Sequence, residues 1–218
     1  MKTGNPKRRL TLIAAGGTIS HVRDPRTGQS VPGLTAAELL HQTTIANTYQ
    51  VRPIDLAERT KPLRHPNELL EIARCIRQAA ETSSGVVVTQ GTDTVEEVAY
   101  LVDETVRATV PIVFTGAMRA SWASGYDGSR NLENALRVAA TVPADYGTLV
   151  TMHDEIFEAW SVYKADTGAI DAFTARRGAA WGRIFGDHVM LTWRPIPRAR
   201  FGEIPLTLPS SVPIVMMG

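Results

Sequence analysis

The chain alternates short, wholly apolar runs with longer segments in which apolar residues recur at helical spacing. Strands that are apolar on both faces are typical of parallel sheets covered by helices on both sides. The predicted strands are LTLIAA, GVVVTQ, VPIVFTG and GTLVTMHD, and the predicted helices are TAAELLHQT, NELLEIARCIRQAAE, TVEEVAYLVDETVRA and GSRNLENALRVAAT. The sequence therefore predicts a doubly wound α/β domain with a mostly parallel sheet, of the Rossmann-like or flavodoxin-like kind.

Composition narrows the class of partner. The chain has 218 residues, of which 44% are hydrophobic, and its 23 Lys+Arg balance 22 Asp+Glu. This balance favours neither nucleic acid nor a membrane surface, so a small-molecule partner fits better. The apolar run at residues 10–15 is too short for a signal peptide, and no stretch has the length of a membrane span. Because the single cysteine, Cys75, has no partner for an internal disulfide, we expect a cytoplasmic protein.

Glycines and polar residues cluster where four of the predicted strands end. In doubly wound sheets, ligands bind outside the carboxyl ends of the strands. Threonine hydroxyls serve as nucleophiles when a base is close, and glycines let backbone N–H groups approach an oxyanion. The residues that would lie along this edge are Gly16, Gly17 and Thr18; Thr89, Thr92, Asp93 and Thr94; Thr115, Gly116, Ala117 and Met118; and His153 and Asp154, with Lys164 shortly after.

Each of these features also has a structural explanation. Gly-Gly-Thr after a strand is commonly a turn followed by a helix cap. Thr94 and Glu97 have the spacing of a capping box, and Asp93 suits the positive end of a helix. Lys164 taken alone is a solvated lysine, and Cys75 fits a small buried apolar residue. Their joint occurrence on one edge, in one order, favours a functional site.

Four segments carry a resemblance to a known family. AAGGTIS, VVVTQGTDTVEEVAYLV, PIVFTGAMR and YDGSRNLENALRVAA resemble the bacterial L-asparaginase/glutaminase family, the threonine amidohydrolases of types I and II. The similarity runs from about residue 10 to about residue 186 and includes both threonine signatures. It implies hydrolysis of the side-chain amide of asparagine, with glutamine as a second candidate, through a threonine acyl-enzyme and without metal or cofactor.

The resemblance also implies roles for individual residues. Thr18 and Thr92 correspond to the two catalytic threonines, and the chemistry alone leaves open which attacks first. Asp93 matches the aspartate that binds the substrate α-ammonium group, and Lys164 matches the lysine of the catalytic triad. A lysine held near its neutral form by burial would take the proton of a threonine, and Asp93 would orient it. The expected substrate-binding residues are Gly17, Gly91, Thr92, Asp93, Ala117 and Lys61.

Two departures from the family pattern concern the activation of the first threonine and the binding of the substrate α-carboxylate. Residues 21–33 are lid-like, with proline and glycine at several positions, but they lack the tyrosine that family members carry there. His21 or Arg23 are candidate substitutes, and a tyrosine from elsewhere is a third. Where the family places a serine for the substrate α-carboxylate, this chain has Thr60 or Lys61. Lys61 or Arg64 would hold a carboxylate by charge.

The third departure is the domain organisation. Residues 1–190 are predicted to form an N-terminal asparaginase-like catalytic domain, 191–211 a proline-rich linker, and 212–218 the first strand of a second domain that is largely absent. Family members use that domain for subunit pairing, so a homodimer or homotetramer is expected of the full-length form. The alternative function is a catalytically inactive relative that binds an amino acid. The five histidines show no metal-ligand spacing, and no phosphate-binding loop is present.

Overall fold

The computed structural model describes residues 8–45, 47–56, 66–176, 179–194, 199–205 and 207. The helices are α1 (Ala36–His41), α2 (Pro66–Thr82), α3 (Val95–Thr105) and α4 (Gly128–Thr141), with 3-10 turns at Thr18–Ser20 and Ala144–Tyr146. The strands are β1 (Arg9–Ala14), β2 (His21–Arg23), β3 (Ser30–Pro32), β4 (Gln50–Asp55), β5 (Gly85–Thr89), β6 (Ile112–Thr115), β7 (Thr148–Met152), β8 (Glu155–Glu158), β9 (Val162–Lys164), β10 (Phe173–Ala175), β11 (Gly182–Phe185) and β12 (His188–Leu191).

The central sheet is mixed but mostly parallel. Its strand order is β12-β11-β8-β7-β6-β5-β1-β4. The five neighbouring strands β7, β6, β5, β1 and β4 run parallel to one another. The strands β8, β11 and β12 extend the sheet by antiparallel pairing. The first five strands of this sheet therefore follow the flavodoxin-like order, and the predicted fold class is confirmed.

Helices cover both faces of this sheet, as a doubly wound fold requires. On one face, α2 and α3 contribute Ile76 and Val98 to a core that includes Phe114. On the other, α1 and α4 contribute Leu39 and Leu136 to a second core. All five of these side chains are almost completely buried, and burial of each such side chain contributes about 1.5–3 kcal/mol. The parallel strands are apolar throughout because each packs against both layers.

The eight elements predicted from periodicity are all present, but several strands escaped prediction. The edge strand β4 contains Arg52 and Pro53 and is mostly exposed, so it lacks the apolar pattern of the buried strands. The expected capping box at Thr94 is wrong, because the Thr94 side chain makes no cap hydrogen bond and instead accepts one from Gln90 Nε2 at 3.1 Å. A capping box forms at the start of α1, where Thr35 and Glu38 satisfy each other.

The last strand of the sheet ends at Leu191, one residue after the predicted limit of the catalytic domain. Of the expected linker, residues 199–205 lie against α3: Arg200 pairs with Asp103 at 3.2 Å, and the Gly202 amide donates to the Glu104 carbonyl at 2.6 Å. Residues 195–198, 206 and 208–218 lie outside the described part of the chain. The domain boundaries therefore stay predictions.

Candidate active site

The loop that follows β1 carries Thr18 into contact with the loop that follows β5. Gly17 has a φ angle of 91°, in the left-handed region that favours glycine. A Cβ atom on Gly17 would lie 2.6 Å from the carbonyl carbon of Gln90 and closer still to the Gly91 backbone. A glycine is therefore required for the two loops to touch. Thr18 begins the 3-10 turn immediately afterwards, with its side chain half-buried.

The loop that follows β6 packs at the same place. A Cβ atom on Gly116 would lie 2.7 Å from the carbonyl oxygen of Gln90 and 3.1 Å from Thr92 Cγ2. Ala117 is fully buried, and its side chain belongs to the core on the α4 side of the sheet. The loops that follow β1, β5 and β6 thus meet at one edge of the sheet, as predicted from the parallel arrangement of these strands.

Lys164 joins this edge from a different part of the fold. It ends β9, which forms a two-stranded sheet with β10. Its Nζ donates to Thr92 Oγ1 at 2.9 Å and to Asp93 Oδ1 at 2.6 Å. The Lys164 side chain is only 13% exposed, whereas that of Asp93 is 91% exposed. The three predicted residues therefore form one hydrogen-bonded group, with a mostly buried lysine side chain and a carboxylate open to solvent.

Glu96 holds the backbone of the lysine. This residue lies in the first turn of α3, and its Oε2 accepts a hydrogen bond from the Lys164 amide at 2.6 Å. The neighbouring Glu97 has a raised pKa, chiefly because of burial, with further contributions from the charges of Glu96 and Asp93. Asp93, just before α3, thus contacts the Lys164 amine, and Glu96, in its first turn, contacts the Lys164 main chain. Sequence reasoning considered this stretch as a helix cap and missed the contact of Glu96 with Lys164.

A second set of contacts, also missed from sequence, surrounds the Thr18 turn. Tyr126 donates its hydroxyl hydrogen to the Ile19 carbonyl at 3.1 Å, and Ser121 Oγ donates to the His21 carbonyl at 2.8 Å. Both donors belong to the loop between β6 and α4. The only sequence signal was that Tyr126 directly precedes the DG pair of the last family segment. The structure therefore brings a tyrosine to the turn from outside residues 21–33.

The predicted lid is a β-hairpin made of β2 and β3. His21 Nδ1 lies 2.9 Å from Ser30 Oγ across the hairpin, and burial lowers the pKa of His21. Arg23 Nε donates to the Gly28 carbonyl at 3.3 Å. Both candidate substitutes for the lid tyrosine thus make contacts within the hairpin itself.

His153 and Asp154 lie at the carboxyl end of β7, and they form the tight turn into β8. Their φ angles are 49° and 64°, as hairpin turns of this type require. Arg130 binds the Asp154 carboxylate through two hydrogen bonds of 2.6 and 2.8 Å, and Asn134 Nδ2 adds a third at 2.7 Å. Burial alone would raise the pKa of Asp154, but these hydrogen bonds and the Arg130 charge lower it overall. The structure thus places these two residues in a structural turn.

The residues predicted to bind the substrate α-carboxylate, Thr60, Lys61 and Arg64, lie outside the described residues.

Within the described ranges, no three histidine, cysteine, aspartate or glutamate side chains gather to hold a metal ion. None of the described helices has the length and apolar character of a transmembrane span. Cys75 is half-buried, and burial raises the pKa of its thiol.

Comparison with known proteins gives a consistent family. Residues 9–197 match a family model described as asparaginase, N-terminal. A probable L-asparaginase of Deinococcus radiodurans is 35% identical in an alignment 219 positions long, which covers 95% of this chain and 63% of that protein. A probable periplasmic L-asparaginase of Haemophilus influenzae is 32% identical, over 83% of this chain and 53% of that protein.

Solved structures agree with this result. The thermostable L-asparaginase from Thermococcus kodakarensis superposes with a TM-score of 0.76 at 25% sequence identity, and the match covers 89% of this chain and 58% of that one. The chain thus spans between about half and two thirds of the length of the relatives that it matches.

Proposed function

The chain belongs to the asparaginase family, and from that membership we propose that it hydrolyses the side-chain amide of asparagine to aspartate and ammonia. The observation that carries the proposal is the pair of hydrogen bonds from Lys164 Nζ to Thr92 Oγ1 and Asp93 Oδ1. A hydroxyl beside a base that a carboxylate orients is the arrangement of an activated nucleophile.

The proposed reaction proceeds in two steps. A threonine Oγ attacks the amide carbon of the substrate, and the C–N bond then breaks as the departing nitrogen takes up a proton and leaves as ammonia. The product of this step is an ester between the threonine and the substrate acyl group. Water attacks that ester, which releases the carboxylic acid and returns the proton to the threonine hydroxyl. In the first step Lys164 accepts the proton from Thr92 and passes it to the departing nitrogen, and in the second step it accepts a proton from the attacking water and returns one to the threonine hydroxyl.

Thr18 and Thr92 are both proposed as catalytic residues, since the loops that carry them touch through Gly17 and Gly91. Lys164 contacts Thr92 directly, so the proton path begins there. Mass spectrometry of the acylated peptide after rapid acid quenching identifies the threonine that bears the acyl group. Acylation found on either threonine supports the ester intermediate, and its absence from both during turnover contradicts it.

Substrate recognition is proposed to depend on charge at one end and close backbone contact at the other. The exposed Asp93 carboxylate suits the α-ammonium group of an amino acid. Gly17 and Gly91 touch each other beside Thr92, and Ala117 follows Gly116, which packs against Thr92. All three are proposed to line the substrate, Ala117 through its main chain because its side chain belongs to the core. Lys61 is proposed to hold the α-carboxylate, in a segment outside the described residues.

The remaining features of the proposal concern cofactors, assembly and location. The two-step reaction consumes only water, so we propose that no cofactor takes part. The full-length form is proposed to be a homodimer or homotetramer. A cytoplasmic location stays a prediction that depends on the single cysteine. The Haemophilus influenzae relative is named periplasmic, so the names of the relatives do not decide the compartment.

The test is ammonia release by the purified chain from L-asparagine, L-glutamine and D-asparagine, with Thr92→Val as the blank. We expect release from L-asparagine well above the blank, and less from the other two amides. Ammonia release no higher than that of Thr92→Val for all three amides would contradict the proposal. Calorimetric binding of aspartate without ammonia release would instead identify an inactive amino-acid-binding relative.

A further inference from the structure

The Thr18 turn is held from one side by a single loop. This loop, residues 117–127, is called the brace loop below. Its Tyr126 hydroxyl donates to the Ile19 carbonyl at 3.1 Å, directly after Thr18. Its Ser121 hydroxyl donates to the His21 carbonyl at 2.8 Å, where the turn enters β2. Two donors from the same loop therefore hold the main chain at successive points just beyond the candidate threonine.

The brace loop is itself rigidly connected. The Asp127 carboxylate at its end accepts hydrogen bonds from the amides of Met118 and Arg119 at its beginning, both at 3.0 Å. Asn131 of α4 adds a third hydrogen bond to Asp127 at 2.9 Å. The beginning of the brace loop is hydrogen-bonded to the buried Asp127 carboxylate at its end, so the loop is closed on itself. Tyr126, next to Asp127, is therefore held firmly against the Thr18 turn.

The chemistry of Tyr126 suits a donor. Burial, followed by the nearby charge of Asp127, raises the pKa of Tyr126 to about 12. The phenol therefore keeps its proton at neutral pH and donates it in a hydrogen bond to the Ile19 carbonyl. Its ring packs against the core on the α4 side of the sheet, so a phenylalanine would keep the packing and lose only the hydroxyl.

We infer that Tyr126 is a positioning residue that sets the orientation of Thr18 for catalysis, an inference that rests on the proposed function. Without the phenol, the Ile19 carbonyl loses its donor and the turn relaxes. The Thr18 hydroxyl is then displaced relative to Thr92 and Lys164, which other loops hold in place. Misplacement of a reacting group by about 1 Å costs up to about 100-fold in rate. Binding contacts through Asp93 are unaffected, since α3 and β9 do not move.

The experiment compares Tyr126→Phe with the wild-type chain and with Tyr146→Phe as the matched control. Tyr146 is a half-buried tyrosine that packs edge-on against Trp181, on a turn between α4 and β7. We expect kcat to fall about tenfold in Tyr126→Phe with KM within twofold, and both constants to be unchanged in the control. The pH profile should keep its shape, because a phenol that does not titrate contributes no limb to it. Ser121→Ala should lower kcat in the same way but less.

A wild-type kcat in Tyr126→Phe, or a change confined to KM, would overturn the inference. Hydrogen exchange of residues 18–22, followed by mass spectrometry, measures the brace without any substrate. Faster exchange in Tyr126→Phe than in the wild type supports the inference, and equal exchange overturns it. A wild-type chain that releases no ammonia contradicts the proposed function instead, and the exchange measurement then still decides whether Tyr126 holds the turn.

Discussion

The side chains of Thr92 and Lys164 meet although 72 residues separate them in the chain. Valine has the shape of threonine and lacks only the hydroxyl, so Thr92→Val should leave the packing against Gly116 intact. Since the hydroxyl is the group that Lys164 contacts, we expect the variant to lose all but a few per cent of the wild-type rate of ammonia release. The measurement is kcat on L-asparagine, together with thermal unfolding to verify that the variant is folded.

A matched control for this substitution is Thr105→Val. Thr105 is also a buried threonine, and its hydroxyl donates to the Leu101 carbonyl at 2.6 Å near the end of α3, away from the site. We expect it to retain wild-type activity with a slightly lower free energy of unfolding. A folded Thr92→Val variant that keeps more than a few per cent of activity would refute the role of Thr92.

Glu96 contacts the main-chain amide of Lys164, which is proposed to be catalytic, so the hydrogen bond made by the Glu96 side chain can be tested separately from its negative charge. Glutamine keeps an oxygen acceptor for the Lys164 amide, whereas alanine removes it. We expect Glu96→Ala to lower kcat about tenfold, equivalent to ~1.4 kcal/mol of barrier, and Glu96→Gln to retain most of the activity. Equal losses in the two variants would show that the charge of Glu96, and not the hydrogen bond, is the important property.

Among the structural elements, the β2–β3 hairpin is the one best placed to respond to ligand. It begins three residues after Thr18, and its exposed turn is held mainly by local hydrogen bonds such as that of the Asp24 amide to the Gln29 carbonyl, 2.9 Å. Exposed turns with few tertiary contacts open with little cost in free energy. Aspartate bound at the site should order the hairpin and slow tryptic cleavage after Arg26.

Cleavage after the exposed Arg183 of β11 provides the internal control, because β11 lies near the opposite edge of the sheet from β1, which leads into the hairpin. Its rate should not depend on aspartate. If cleavage after Arg26 is equally fast with and without aspartate, the hairpin is not a lid that closes over the ligand.

For the molecule as a whole, the two edges of the described sheet differ. The edge strand β4 carries Pro53, which disfavours pairing with a further strand. At the opposite edge, Met190 of β12 is 58% exposed and Phe185 of the adjacent β11 is 56% exposed. An edge with exposed apolar side chains favours association with another chain. We therefore expect the molar mass from light scattering to rise above 23.7 kDa with concentration.

Met190→Lys should shift this association toward the monomer, because a lysine on an edge strand opposes strand pairing. Gln50→Lys places the same charge on β4 and serves as the control, with no expected effect. A constant mass of one chain at all concentrations would contradict association, and equal effects of both variants would contradict the assignment of the β12 edge.

The parallel sheet, the covering helices and the edge that carries Thr18, Thr92 and Asp93 follow from local patterns in the sequence. Apolar periodicity reports burial on one or both faces, and the carboxyl ends of parallel strands always share an edge. The family resemblance added Lys164, whose isolated sequence context indicates only a solvated lysine. The strand β4 and the later hairpins were not predicted, since their exposed or short strands lack that periodicity.

The contacts that assemble the site were decided only by the tertiary structure. Lys164 reaches Thr92 because β9 folds back onto α3, and Tyr126 reaches Ile19 across 107 residues of chain. Neither contact can be read from the periodicity of the sequence. Each contact depends on the position of a loop in the folded chain, and not on the residues that precede or follow that loop in the sequence. Local sequence patterns therefore determined which helices and strands form and which edge of the sheet carries the candidate site. The packing of loops that are distant in sequence determined that the Thr92 hydroxyl contacts the Lys164 amine.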